Sequence, residues 1–236
     1  MPGGALPLRR QVLFATAALM AGCALPRDTA LRDWARTASL AIDQPSMLPR
    51  GAAAASAEQQ ALVIYFYALA VLAEPEQPLT FRPGPYAALA PAAAAADPEA
   101  SAAIARIGEL LAAAAAGNIP SDARAYSAAP APLIEDRRLD RILPSADPAV
   151  QVLLAALAGA TGDGPGRDPY REILRDIGES HAMLTSRGFH IRQRETSRDI
   201  LAAEDRLLRL MRRLPPDPTL AARRPPGGLV AAAVQP

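Results

Sequence analysis

Alanine-rich apolar stretches, separated by prolines and glycines, constrain the fold of this chain more than any other feature. Alanine is the best helix former, whereas proline and glycine end or interrupt helices. Half of the residues are apolar but only 4% are aromatic, and the 24 prolines and 15 glycines lie mostly between the apolar stretches. No stretch alternates convincingly with a period of two, so we expect no strand. The pattern predicts an all-α bundle of about six or seven helices with irregular Pro/Gly-rich connections.

The length and charge of the chain limit the classes of protein to which it can belong. With 236 residues it can form one domain with a sizeable core. The formal net charge is +1, and two of the arginines, Arg9 and Arg10, lie in a segment that we expect to be removed. A nearly neutral chain is not expected to bind nucleic acid. The single cysteine, Cys23, excludes an intrachain disulfide.

The first 23 residues have the layout of an export signal. Arg9 and Arg10 end a basic region, an apolar stretch runs from Val12 to Met20, and small residues follow at positions 21 and 22. The apolar stretch has about nine residues, whereas a membrane-spanning helix needs roughly twenty. We therefore expect this segment to be cleaved and not to remain as a transmembrane anchor.

The end of this segment carries a more specific pattern, Leu19-Met20-Ala21-Gly22-Cys23. It resembles the lipobox of bacterial lipoprotein precursors, and the resemblance covers residues 1–23 only. It implies cleavage between Gly22 and Cys23 and acylation of Cys23, with palmitate among the expected acyl groups. Because Ala24 follows where an Asp tends to retain such proteins in the inner membrane, the resemblance also implies an outer-membrane protein facing the periplasm. The alternative is an incidental thiol after a conventional signal peptide.

Helix signals divide the remainder of the chain. We predict a lipidated tether at 23–30, a helical domain at 31–214 and a disordered tail at 215–236, after a signal peptide at 1–22. Predicted helices cover 29–43, an apolar core helix 61–73 with a capping box at Ser56 and Gln59, and a short piece around 133–143. Asp-Pro pairs are expected to begin three further helices, at 97–98, 147–148 and 168–169. A last helix, capped by Thr196 or Ser197, would bury Ile200, Ala203, Leu207, Leu210 and Leu214.

His181 is the most interesting candidate for chemistry because it lies on the apolar stripe of a predicted helix. Asp176 and Glu179 are close in sequence but do not share its helix face, and no carboxylate has the spacing of a metal pair. We therefore interpret His181 as a hydrogen-bonded core residue, with a base or a metal ligand as the alternative. No metal or cofactor is expected. Ser180 superficially resembles a hydrolase nucleophile, but we place it in mid-helix with its hydroxyl satisfied locally.

Two other features have weak functional interpretations. The glycines from Gly162 to Gly166 lack the Lys of a phosphate loop and are interpreted as a linker. Trp34, Tyr65, Phe66 and Tyr67 are more simply core residues than contacts for a ligand or partner. The leading hypothesis is a membrane-anchored, non-enzymatic binding or scaffold module that contacts another envelope protein or lipid. The alternatives are a carrier of a lipid or small apolar ligand, and a hydrolase or metal-dependent enzyme that uses His181.

Overall fold

The computed structural model describes residues 29–74, 79–116, 137–164, 166–187, 194–217 and 230–232. Its long helices are α1 (Thr29–Ile42), α2 (Ala53–Leu72), α5 (Pro98–Ala116), α6 (Arg137–Ala160), α7 (Arg167–Arg187) and α8 (Arg194–Met211). Two short helices, α3 (Pro83–Ala87) and α4 (Leu89–Ala94), lie between α2 and α5, and a 3₁₀ turn, Pro45–Met47, follows α1. The predicted all-α bundle is confirmed.

Helix α2 forms the centre of the bundle. It packs against α1, α4, α5 and α6, while α8 covers α1 and α7. At 20 residues it is longer than the predicted 61–73, and by length and composition it could cross a membrane, as could Leu139–Ala160 of α6. However, 83% of its apolar window is buried against other helices. This burial is typical of a core helix, and it explains why α2 is apolar on every side.

Two of the predicted Asp-Pro helix starts are confirmed. The Oδ1 atom of Asp97 accepts a hydrogen bond from the Ala100 amide at 2.9 Å, which caps α5, and Pro98 occupies the first helical position. Asp168 and Pro169 lie in the first turn of α7, which begins one residue earlier at Arg167. Proline is harmless there because the first amides of a helix have no intrahelical partner.

The predicted start at Asp147-Pro148 is wrong. Helix α6 begins at Arg137 and continues through Pro144 and Pro148, so the expected short piece and the following helix are one element. Its buried stripe runs without interruption through this region, with Leu143, Ala146 and Val150 all fully buried. Packing of this stripe outweighs the cost of the missing proline amides.

The predicted caps of α2 and α8 are also wrong by a few residues. Helix α2 begins at Ala53 after Ala52, which makes no side-chain capping bond, and Ser56 lies inside the helix. Helix α8 begins at Arg194, so Thr196 lies in its first turn and is buried. The predicted stripe of α8 is confirmed at Ile200, Ala203 and Leu207. Position along the apolar stripe was therefore easier to predict than the capping residue.

One pairing of strands was not predicted. Strand β1 (Leu79–Phe81) pairs antiparallel with β2 (Val230–Ala232), with Thr80 opposite Ala231. Strand β2 falls within the segment 215–236 that the sequence analysis expected to be disordered. Three residues give a strand too little pattern to be recognised in the sequence. Residues 1–28, which include Gly22 and Cys23, lie outside the described part of the chain.

Candidate functional site

His181 lies at the centre of the bundle, in the middle of α7, and its side chain is fully buried. Its Nε2 atom is 2.8 Å from the hydroxyl of Tyr65 on α2, and its Nδ1 atom is 2.7 Å from Oδ1 of Asp147 on α6. These three side chains, which we call the buried hydrogen-bond chain, link three helices. The predicted hydrogen-bonded core histidine is thus present.

In the buried hydrogen-bond chain, the carboxylate of Asp147 is partly exposed and is fixed by a second hydrogen bond. Gln151, one turn further along α6, donates to Oδ1 of Asp147 at 3.1 Å and to the carbonyl of Gly178 at 3.0 Å. The hydrogen bond from His181 lowers the pKa of Asp147, and the bond from Gln151 acts in the same direction, against the partial burial of the carboxyl. Asp147 is therefore the carboxylate acceptor, so Nδ1 of His181 carries a proton.

At the other end of the buried hydrogen-bond chain, the side chain of Tyr65 is fully buried. Burial, and to a lesser degree the charge of Asp147, raises the pKa of Tyr65, so its hydroxyl keeps its proton. In the neutral imidazole, Nε2 accepts a hydrogen bond from the Tyr65 hydroxyl and Nδ1–H donates one to Oδ1 of Asp147. All polar atoms of the histidine ring are satisfied in this arrangement.

The described surface pockets do not open onto the buried hydrogen-bond chain. A general base or nucleophile must lie within hydrogen-bond reach of its substrate. Neither of the two surface pockets described below is lined by His181, Tyr65 or Asp147. Within the described residues, no group of three or more His, Cys, Asp and Glu side chains could hold a metal ion. The buried hydrogen-bond chain therefore has the character of a structural link between helices.

The predicted aromatic contacts separate into two groups. Trp34, Tyr65 and Phe66 are fully buried, with ring centroids 5.6 Å apart for Trp34 and Phe66 and 5.1 Å apart for Tyr65 and Phe66. Both pairs meet edge to face, the geometry that aromatic pairs prefer. Tyr67 is only partly buried and belongs to the margin of the core. Three of the four residues therefore serve the core and none of these three lines a described pocket.

Ser180 lies in mid-helix, as predicted, and is buried. Contrary to the prediction, its hydroxyl has no hydrogen-bond partner within the described residues. A serine in a helix usually bonds to the carbonyl one turn earlier, so the expectation followed the general rule and missed this case. Both nitrogens of the adjacent His181 are bonded to Tyr65 and Asp147, so within the described residues no base activates the Ser180 hydroxyl.

Asp147 and Glu58 are the residues that the sequence analysis missed. Asp147 was interpreted as a helix cap because Pro148 follows it, and its partner His181 is 34 residues away in the chain. Glu58 is only 3% exposed, and its Oε2 atom has no hydrogen-bond partner in the described part of the chain. Burial raises the pKa of Glu58, and the charge of Asp97 adds to this effect. Its position in the apolar face of α2 was the only signal available in the sequence.

Two open pockets on the surface of the described residues differ in their lining. The larger, of about 750 Å³, lies where residues 45–56 meet Arg167. The smaller, of about 480 Å³, lies between α7 and α8 and is lined by charged side chains. Several of these form ion pairs across the two helices, with Arg206 3.0 Å from Asp176 and Arg213 2.7 Å from Glu172.

Comparison of the chain with protein-family models, with curated proteins and with solved structures found no match.

Proposed function

We propose that this protein is a lipid-anchored module of the bacterial cell envelope that binds or scaffolds another envelope component without catalysing a reaction. The observation that carries the proposal is Cys23, the single cysteine, at the end of a segment that resembles a lipobox. A thiolate is the nucleophile that lipidation requires, and stable anchoring takes two or more acyl chains. The proposed location is the outer membrane, facing the periplasm.

The position of the first helix supports a role at the membrane surface. Helix α1 begins at Thr29, so only residues 24–28 separate it from Cys23. Five residues span at most about 18 Å when fully extended. A lipid on Cys23 would therefore hold the bundle against the bilayer, with little freedom to reach across the periplasm.

The full burial of His181 within the hydrogen-bond chain supports a binding or scaffold role over an enzyme that uses His181. An active site needs a concave opening onto its reactive groups, and the two pockets described above do not provide one for His181. The carrier alternative would need a largely apolar cavity that encloses its ligand. The smaller pocket is lined almost wholly by charged side chains, and both pockets are open to solvent, so neither encloses an apolar ligand.

Lipidation is tested by growing the bacterium with labelled palmitate and following label and protein through membrane fractionation. We expect label in the wild type and membrane association that resists high salt, and neither in Cys23→Ala. Ala24→Asp should move the protein to the inner-membrane fraction, and Ala24→Ser, the matched control, should not. Membrane association of Cys23→Ala equal to that of the wild type would contradict the anchor.

A further inference from the structure

The larger surface pocket has an unusual set of polar groups. Its charged lining residues are Arg50 and Arg167, and Ser46 and Ser56 add two hydroxyls. None of its lining residues is acidic. A concave site with guanidinium and hydroxyl donors but no carboxylate favours an anionic ligand.

The side chain of Arg167 is held in place by the loop between α6 and α7. Its Nη1 atom donates to the carbonyl of Thr161, and the side chain passes close to two glycines. A Cβ atom would lie 3.1 Å from Nη1 at Gly162 and 3.5 Å from Cδ at Gly164, and both glycines have positive φ angles. The guanidinium is therefore positioned before any ligand arrives, which lowers the entropic cost of binding.

The carboxylates beside Arg167 in sequence belong to another arginine. Arg171 contacts Asp163 at 3.3 Å and Asp168 at 2.6 Å through the same Nη2 atom. In the described part of the chain, neither Arg167 nor Arg50 takes part in an ion pair. Among the described residues, two cations thus line one pocket without a paired carboxylate.

Helix α2 adds to this positive potential. It begins at the pocket, and its N-cap residue, Ala52, lines the pocket and offers no capping oxygen. No acidic residue occurs in its first turn. The partial positive charge at the N-terminus of a 20-residue helix therefore reinforces the two arginines.

We propose that this pocket binds a phosphate group through Arg50 and Arg167. A guanidinium fork matches the oxygens of phosphate, and two such forks suit a tetrahedral anion better than a single planar carboxylate. The pocket is larger than one inorganic anion, so it can also hold a phosphate that belongs to a larger molecule. The phosphate has two sources, a phospholipid headgroup or a free phosphate compound.

Isothermal titration calorimetry on the full chain tests the proposal, with inorganic phosphate and glycerophosphoglycerol, the headgroup of phosphatidylglycerol without its acyl chains, as separate probes. We expect saturable binding of at least one probe. Arg50→Gln and Arg167→Gln should each weaken it about tenfold or more. Arg141→Gln, which removes the same charge from an exposed position outside the pocket, should leave it unchanged.

The two probes separate the two sources. Tighter binding of glycerophosphoglycerol supports a lipid headgroup, and tighter binding of inorganic phosphate supports a free phosphate compound. If Arg167→Gln loses its helical circular dichroism, Arg50→Gln decides, because the exposed Arg50 side chain makes no hydrogen bond or ion pair with another described residue. Absence of saturable binding at millimolar probe, or an equal loss in Arg141→Gln, would overturn the proposal. Neither outcome depends on whether Cys23 is acylated.

Discussion

Single side chains deep in the bundle determine which helices are bonded to one another. Tyr65, His181 and Asp147 each come from a different helix, and each satisfies a polar atom that would otherwise be buried without a partner. A buried polar group adds little to the free energy of unfolding when it is hydrogen-bonded, but lowers it considerably when it has no partner. The sequence predicted His181 as a bonded core residue, because it lies on an apolar stripe. It did not reveal the partners, since they are 34 and 116 residues distant in the chain.

Replacement of Tyr65 by Phe tests how much stability is lost when the buried hydrogen-bond chain is interrupted. The substitution keeps the ring but leaves Nε2 of His181 without a donor in a fully buried site, so we expect a loss of about 1–3 kcal/mol in the free energy of unfolding. Urea denaturation followed by circular dichroism measures it. Tyr67→Phe, two residues away and partly exposed, is the matched control and should change stability by less than about 0.5 kcal/mol. Equal effects of the two variants would contradict the importance of the hydroxyl.

Glu58 makes stability depend on pH. Its pKa is raised in the folded state, so between the unfolded value, about 4.3, and the folded value the folded chain binds more protons than the unfolded chain. Its contribution to stability is therefore greatest in acid and declines as the pH rises through this window. Glu58→Gln removes the decline, and we expect the variant to be more stable than the wild type at pH 8 but not at pH 4.

Chemical denaturation at both pH values provides the measurement for Glu58. Glu179→Gln, on an exposed position of α7, is the control and should show the same difference from the wild type at both pH values. A Glu58→Gln variant less stable than the wild type at pH 8 would show that the carboxylate has a partner that compensates its burial.

At the scale of helices, apolar stripes predicted the positions of helices better than prolines predicted where helices begin. The apolar stripes of α1 and α8 placed these two helices, because burial of one face determines where a helix lies, and the apolar stretch 61–73 located α2 but not its first eight residues. Asp-Pro pairs predicted a helix start wrongly where the packing of a buried stripe favoured a continuous helix. The same Asp-Pro pair starts α5 at Asp97 but lies in mid-helix at Asp147, where a continuous buried stripe keeps α6 helical. Nothing in the local sequence distinguishes the two cases.

Pro148 should therefore destabilise the helix that contains it. Its missing amide removes one backbone hydrogen bond, and its ring crowds the preceding turn. We expect Pro148→Ala to raise the free energy of unfolding by about 1–2 kcal/mol, after allowing for the greater freedom of the unfolded chain. Pro98→Ala, at the first position of α5, is the matched control and should give no gain. A destabilised Pro148→Ala would indicate that a bend at this position is needed to bring Asp147 to His181.

At the scale of the molecule, one continuous core joins all six long helices. The aromatic residues at its centre and the alanine-rich helices around them match the composition from which an all-α bundle was predicted. The sequence could not identify the Arg50–Arg167 pocket, because its lining comes from two segments more than 100 residues apart. Surface sites of this kind arise only when helices have packed.

A continuous core predicts a single cooperative unfolding transition. Trp34 is the only tryptophan, and it is fully buried between α1 and its neighbours, so its fluorescence reports on the core, whereas circular dichroism reports on all helices. We expect the two urea transitions to coincide in midpoint and slope. Separate midpoints would show that part of the bundle unfolds independently.

The distance along the chain between Tyr65 and His181 has a consequence for synthesis. A ribosome adds about 5–20 residues per second, so the 116 residues between them take roughly 6–23 s to make. During that interval the apolar surface of α2 has emerged while α7, which supplies its buried bonding partner, does not yet exist. We therefore expect nascent α2 to be prone to association with other unfinished chains until α7 can pack.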